Sequence, residues 1–167
     1  MADSISLQLT PGSKKILDNL ARVGKLDLRP TFKILGKGYR KEVGLSFRNT
    51  REKVTGAKWQ PLSPAYAIQK QIDFPVRSLL VRTGKLLSSI TQKGASGNIT
   101  LIGKNSAVFG SSIPYASIHD EGRGNIPKRN FSVPSDRRFL IWKDQIGRNI
   151  KRNFEKEGIN VQGSVFA

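Results

Sequence analysis

The chain's single histidine, His119, is followed at once by Asp120 and Glu121. A histidine beside carboxylates is the raw material of general acid–base catalysis or of a metal site, because imidazole titrates near neutral pH and a carboxylate can orient it or share a cation with it. Spacing argues against both here. On a helical turn successive side chains point about 100° apart, so three in a row do not converge on one atom. One histidine cannot supply a two-histidine metal motif. The chain has no cysteine, which removes thiolate nucleophiles, cysteine zinc sites and disulfides. A Ser–His–Asp arrangement would need a remote serine and carboxylate, and no motif nominates either. Neither G-x-x-x-x-G-K-[ST] nor G-x-S-x-G occurs, so phosphate-loop and hydrolase-elbow chemistry have no footing. The reading that remains is structural: Tyr115, Ile118 and His119 pack inward, while Asp120 and Glu121 face water or a neighbour. A hydrolase built on His119 is the reading to be excluded by His119→Ala. We expect no enzyme, cofactor or metal.

The elements that would hold this stretch follow from hydrophobic period and caps. "SISLQL" (4–9) alternates as a half-buried strand, and Ser13 can cap a helix carrying Ile16, Leu17, Leu20 and Val23. Asp27 is placed to cap a second, longer helix with Pro30 in its first turn. Leu28, Phe32, Leu35, Tyr39, Val43 and Phe47 form its apolar stripe, with Lys33, Lys37, Arg40, Lys41 and Arg48 opposite. Gly36, Gly38 and Gly44 each weaken that helix by about 1 kcal/mol relative to alanine, unless they admit close packing. Ser63 and Pro64 open a short helix, and Thr83 is a cap candidate before 85–90. "NITLIG" and "SAVFGS", joined by Lys104 and Asn105, read as a β-hairpin. Pro114 starts the helical turn that holds His119, and a short strand is expected around 130–133. Pro134 and Ser135 open a last long helix with Phe139, Trp142, Ile146, Ile150 and Phe154 on one face; Gly158 ends it. The whole predicts a single α+β domain over residues 1–158. A small antiparallel β-sheet with a central hairpin packs against long N-terminal and C-terminal helices, and 159–167 is a tail.

Charge sets the class of partner. Lys+Arg 29 against Asp+Glu 12 gives +17, and the excess is spread along the chain rather than gathered in a tail. Such a surface attracts nucleic acid or acidic protein faces; the bland reading is a soluble protein that happens to be basic. No apolar run approaches the ~20 residues that span a bilayer, and the N-terminus has neither the basic start nor the apolar core of a signal peptide. Absence of cysteine fits synthesis in a reducing cytoplasm. Trp59 and Trp142 could stack on bases, but core packing suits both better. No nucleic-acid-binding module is evident, so such binding would be sequence-independent.

Four stretches in order carry a resemblance. Trp59, Pro61 and Leu62 make a tryptophan–x–proline–leucine step. Leu80, Thr83, Gly84 and Leu86 make a leucine–x–x–threonine–glycine–x–leucine step. Tyr115, Ala116, Ile118, His119 and Gly122 make the third, and Pro127, Arg129 and Phe131 the fourth. Over roughly 13–157 the chain thereby resembles the phage virion morphogenesis family, the small neck or tail-completion proteins of tailed phages. Asp120 departs from the glutamine often found there, and the final nine residues have no counterpart.

The resemblance implies a non-enzymatic virion protein, made in the host cytoplasm and placed at the neck. It implies a homo-oligomeric ring of six copies between the head-side connector or adaptor and the tail tube or tail terminator, without membrane contact. The basic faces would meet acidic partner surfaces or the DNA passing through the lumen. In such proteins the stretch from Tyr115 to Phe131 is a structural connector between hairpin and last helix. Gly122 and Gly124 suit tight turns. Arg129 is the candidate to hold a carboxylate or backbone carbonyls at a subunit joint, with Arg137 and Arg138 as further interface candidates. The rival reading is a sequence-independent nucleic-acid-binding protein.

Overall fold

The computed structural model describes residues 27–75 and 77–156. The strand expected at 4–9, the helix expected from Ser13, the stop at Gly158 and the tail all lie outside the described residues.

Helix α1 (Arg29–Asn49) is the spine. Its N-cap position is Leu28, not the expected Asp27, and Leu28 offers no side-chain cap. Asp27 still serves the helix from one residue outside: its carboxylate accepts the Arg29 N–H at 3.0 Å and pairs with the Arg29 guanidinium at 2.7 Å. Those bonds from Arg29 hold the Asp27 carboxyl at about 2. Phe32, Leu35, Tyr39, Val43 and Phe47 are buried along one face, as their spacing predicts. The helix ends on Thr50 with φ 50°, a costly conformation for a β-branched residue. The Thr50 N–H donates to Ser46, the Thr50 carbonyl accepts the Trp59 N–H at 2.8 Å, and Arg51 pairs with Lys58 just beyond.

Helix α2 (Pro64–Asp73) follows with proline in its first turn. Helix α3 (Lys85–Thr91) begins after Gly84, which has φ 87° and holds the N-cap position in place of the expected Thr83. Thr83 sits one residue earlier, where its hydroxyl accepts the Lys85 N–H at a long 3.4 Å. Strands β1 (Asn98–Ile102) and β2 (Ala107–Ser111) form the antiparallel hairpin, the sheet among the described residues, with Thr100 opposite Phe109 and Leu101 opposite Val108. Phe109 reaches α1: a Cβ on Gly36 would stand 2.6 Å from its ring. The face shared by Leu101 and Val108 is the outer one, and both are more than half exposed. Alternation is present, but burial on the Phe109 side falls to Thr100 and Ile102 rather than to Leu101.

Helix α4 (Ala116–Glu121) carries the histidine. Residues 130–133, expected as a strand, form no ladder: the Phe131 and Ser132 N–H groups are taken by the Asp120 carboxylate instead. Helix α5 (Asp136–Lys156) then runs antiparallel to α1. Glu42 accepts from the Arg138 guanidinium at 3.1 Å and from the Ser135 N–H, and the Ser135 hydroxyl accepts the Arg138 N–H. Trp142 lies over Gly38, and Asn149 donates to the Thr31 hydroxyl at 2.6 Å. Contact with α1 runs through 138, 142 and 149, and Phe139, about 80° from the middle of that line, is 62 % exposed; of the predicted stripe Phe154 is buried, Trp142, Ile146 and Ile150 are half-buried, and Phe139 fails.

The core gathers Tyr39, Val43, Phe47, Trp59, Val81, Leu86, Ile90, Ala116 and Phe131. Phe47 is its hub, edge-on to Trp59 at 5.6 Å and 5.2 Å from Phe131.

Candidate functional site

The four sequence steps meet around this hub. Trp59 is buried against Phe47 and does not present a face for base stacking. The carbonyls just beyond it, of Gln60 and Pro61, accept two bonds of 3.1 Å from the Arg129 guanidinium, which is only 3 % exposed. A planar fork suits two neighbouring carbonyls as an ammonium would not. The backbone carbonyls expected for Arg129 are therefore there, but in its own chain: they bind the first motif step to the last. Burial lowers the proton affinity of this guanidinium.

The stretch from Tyr115 to Phe131 is a corner built from three backbone devices. Gly122 has φ 78°, and a Cβ there would stand 2.7 Å from the Lys128 nitrogen. The Arg129 N–H donates to the His119 carbonyl at 2.8 Å, and Arg123 and Ile126 bridge the loop. Asp120 accepts the Phe131 N–H at 2.8 Å, the Ser132 N–H at 3.0 Å and the Ser132 hydroxyl. Its carboxylate, expected to face water or a neighbour, is taken by its own chain, and its two oxygens accept all three donors at once. Ala116 and Phe131 are buried, Ile118 and Pro127 half-buried. Tyr115 is 40 % exposed and stands edge-on to His119.

His119 is half-buried, and its Nδ1 is enclosed with no hydrogen-bond partner. Desolvation, and secondly the nearby positive charge of Arg129, holds its pKa below the usual 6.5. Asp120 is committed to the backbone and not to the ring. Among the described residues no three His, Asp or Glu side chains stand close enough to hold a metal ion.

Leu86 is buried in the core, with Leu80 packed against it. Leu62, Leu80, Thr83, Gly84, Leu86, Tyr115 and His119 also share one cleft of about 480 Å³ with Lys70 of α2. Lys70 is 6 % exposed; its ammonium donates to the carbonyls of Ser78 and Leu79, the latter at 2.8 Å, and burial lowers its pKa. Sequence reasoning passed over Lys70 and Glu42 and gave Asp120 to water or a neighbour, since a charged residue on a helix is ordinarily solvated. The break at "DFP" directly after α2, which folds the chain back over Lys70, is the one signal that could have marked it. Of the interface candidates, Arg138 is tied to Glu42 and Arg137 is exposed. No described helix is long and apolar enough to cross a membrane.

No curated protein and no solved structure is significantly similar to this chain. The model of the phage virion morphogenesis family matches residues 10–154 of the 167. That span takes in every residue of the core and all four motif steps, so this chain belongs to the phage virion morphogenesis family.

Proposed function

We propose that the chain is a non-enzymatic structural protein at the neck of a tailed-phage virion. It acts as a tail-completion or head–tail joining protein, six copies closing a ring between the head-side connector and the tail tube. The observation that carries this reading is where the family motifs lie. Trp59, Leu86, Ala116, Arg129 and Phe131 are buried, and the Arg129 guanidinium is spent on carbonyls of its own chain. What these residues hold together is a shape. The shape presents exposed apolar groups, among them Ile68, Ile72, Leu101, Val108, Phe139 and Leu140, on a strongly basic chain. Such groups suit contacts with further copies or with other virion proteins.

Electron microscopy of lysates from a phage lacking this product tests the reading. Filled heads beside separate, finished tails are expected. Tails of abnormal length would move the role to tail termination, and normal infectious particles would overturn it. A second reading, sequence-independent binding to nucleic acid, is favoured only by the +17 charge. It would gain from DNA binding that weakens steeply with salt in the absence of any effect on particles.

A further inference from the structure

The cleft beside His119 has a one-sided chemistry. Its basic lining groups are Lys70, Arg82, Lys85 and His119, and among the described residues no carboxylate lines it. Lys70 is the unusual member. The residue is 6 % exposed, and its ammonium is held by two neutral carbonyls and forms no ion pair among the described residues. A buried cation whose only partners are dipoles is electrostatically unsatisfied, and an arriving carboxylate would complete it. Arg82 is held in place on the same side by the Phe74 ring, 5.0 Å from its centroid. The enclosed Nδ1 of His119 adds a polar atom without a partner. Leu79, Leu80, Leu86 and Tyr115 supply the apolar lining.

We propose that this cleft is a docking site for an acidic peptide segment of a partner protein, with one large apolar side chain seated among the leucines and Tyr115 and flanking carboxylates at Lys70, Arg82 and Lys85. The charge of the lining excludes a basic segment, and the leucines give a purely acidic one no anchor. The inference rests on the assembly reading only for the partner's being a virion protein; the binding chemistry is a property of this chain alone.

The test uses the full chain and a fluorescein-labelled hexapeptide, Glu-Asp-Phe-Leu-Asp-Glu, followed by fluorescence anisotropy at about 0.15 M salt, where screening beyond ~8 Å suppresses the general field. Arg82→Glu with Lys85→Glu should weaken binding about tenfold or more, whereas Lys37→Glu with Arg152→Glu, the same change in charge on exposed helix faces, should change it less than about twofold. Replacing the peptide's Phe and Leu by serine should weaken it about tenfold. Circular dichroism melts establish that both double variants fold. No binding, equal binding of the serine peptide, or equal loss in the control variant would overturn the proposal. So would a thymidine oligonucleotide that displaces the peptide and is itself lost in Arg82→Glu with Lys85→Glu, since it would reassign the cleft to nucleic acid. Failed peptide binding alongside unjoined heads and tails would reject the cleft and leave the assembly reading intact; the converse pair of results would do the opposite.

Discussion

At the scale of single residues, the charges that matter are those facing the chain's own backbone. Asp120 terminates two amides and a hydroxyl at the turn into Phe131. Asp120→Ala should cost about 2–4 kcal/mol, because the two amides lose a charged acceptor; Asp120→Asn, which keeps one oxygen, should cost about half as much, both read from urea unfolding. Arg129→Ala removes the fork between Gln60, Pro61 and the corner. It should lower stability by about 2–4 kcal/mol and reduce soluble yield. Its defect then appears at folding, before any at assembly; a variant with wild-type stability that fails only to assemble would return Arg129 to the subunit joint. His119 provides a pH signature. Its folded pKa lies below the 6.5 of the free side chain. In the window between the two values the unfolded chain binds the extra proton, so stability is complete above about 6.5 and declines as pH falls towards the folded value. His119→Gln should flatten that part of the stability–pH curve, while a curve unchanged by the substitution would mean that the ring is solvated.

At the scale of elements, the glycines of α1 divide by what lies above them. A Cβ on Gly36 would meet the Phe109 ring at 2.6 Å, whereas one on Gly38 would sit at ordinary contact, 3.5 Å from the Trp142 indole nitrogen. Both substitutions gain about 1 kcal/mol of helix propensity. At Gly36 the gain is outweighed by displacing a ring wedged between α1 and the hairpin, so Gly36→Ala should lower stability by about 1–2 kcal/mol and Phe109→Leu in the same chain should recover part of it. Gly38→Ala should raise stability by about 0.5–1 kcal/mol. Thermal melts of the two single variants decide the matter: a rise in both would mean that the hairpin yields at no cost. The α1–α5 seam depends on Glu42, which meets Arg138 and Ser135 together. That joint makes the start of α5 the place where the corner and the spine are fastened.

At the scale of the whole molecule, at least five of the twelve acidic residues are engaged within the chain. Asp27, Glu42, Asp144 and Glu155 pair with arginine or lysine, and Asp120 serves the backbone. The exposed acids such as Asp73, Glu121 and Asp136 are far outnumbered by Lys and Arg, and the net charge is +17. The isolated protein should therefore bind duplex DNA of any sequence weakly, losing about a thousandfold or more in affinity between roughly 50 and 200 mM salt. Filter binding with two unrelated duplexes measures this; a clear preference for one, or indifference to salt, would require a dedicated site rather than a field. Association with acidic protein faces should share the salt dependence to a lesser degree, because an apolar anchor is not screened.

Periodicity and punctuation determined the skeleton from sequence alone. The stripe on α1 was legible at its spacing of three and four, Pro64 and Pro134 marked where helices begin, and the hairpin was legible from alternation about Lys104 and Asn105. These are local matters, since a backbone pattern and its caps act within a few residues. The motif order likewise identified the family before any fold was in view. What tertiary structure alone decided was the assignment of polar groups to partners. Asp120 reaches residues 11 and 12 positions away, Arg129 reaches Gln60 across 69, and Arg138 reaches Glu42 across 96. Lys70 is enclosed because the chain folds back over α2. The sequence reading gave Asp120 to water or a neighbour, expected a strand at 130–133 and buried Phe139, each for the same physical reason. Whether a carboxylate finds amides, and which face of a helix meets a neighbour, depends on contacts between segments that no local pattern records.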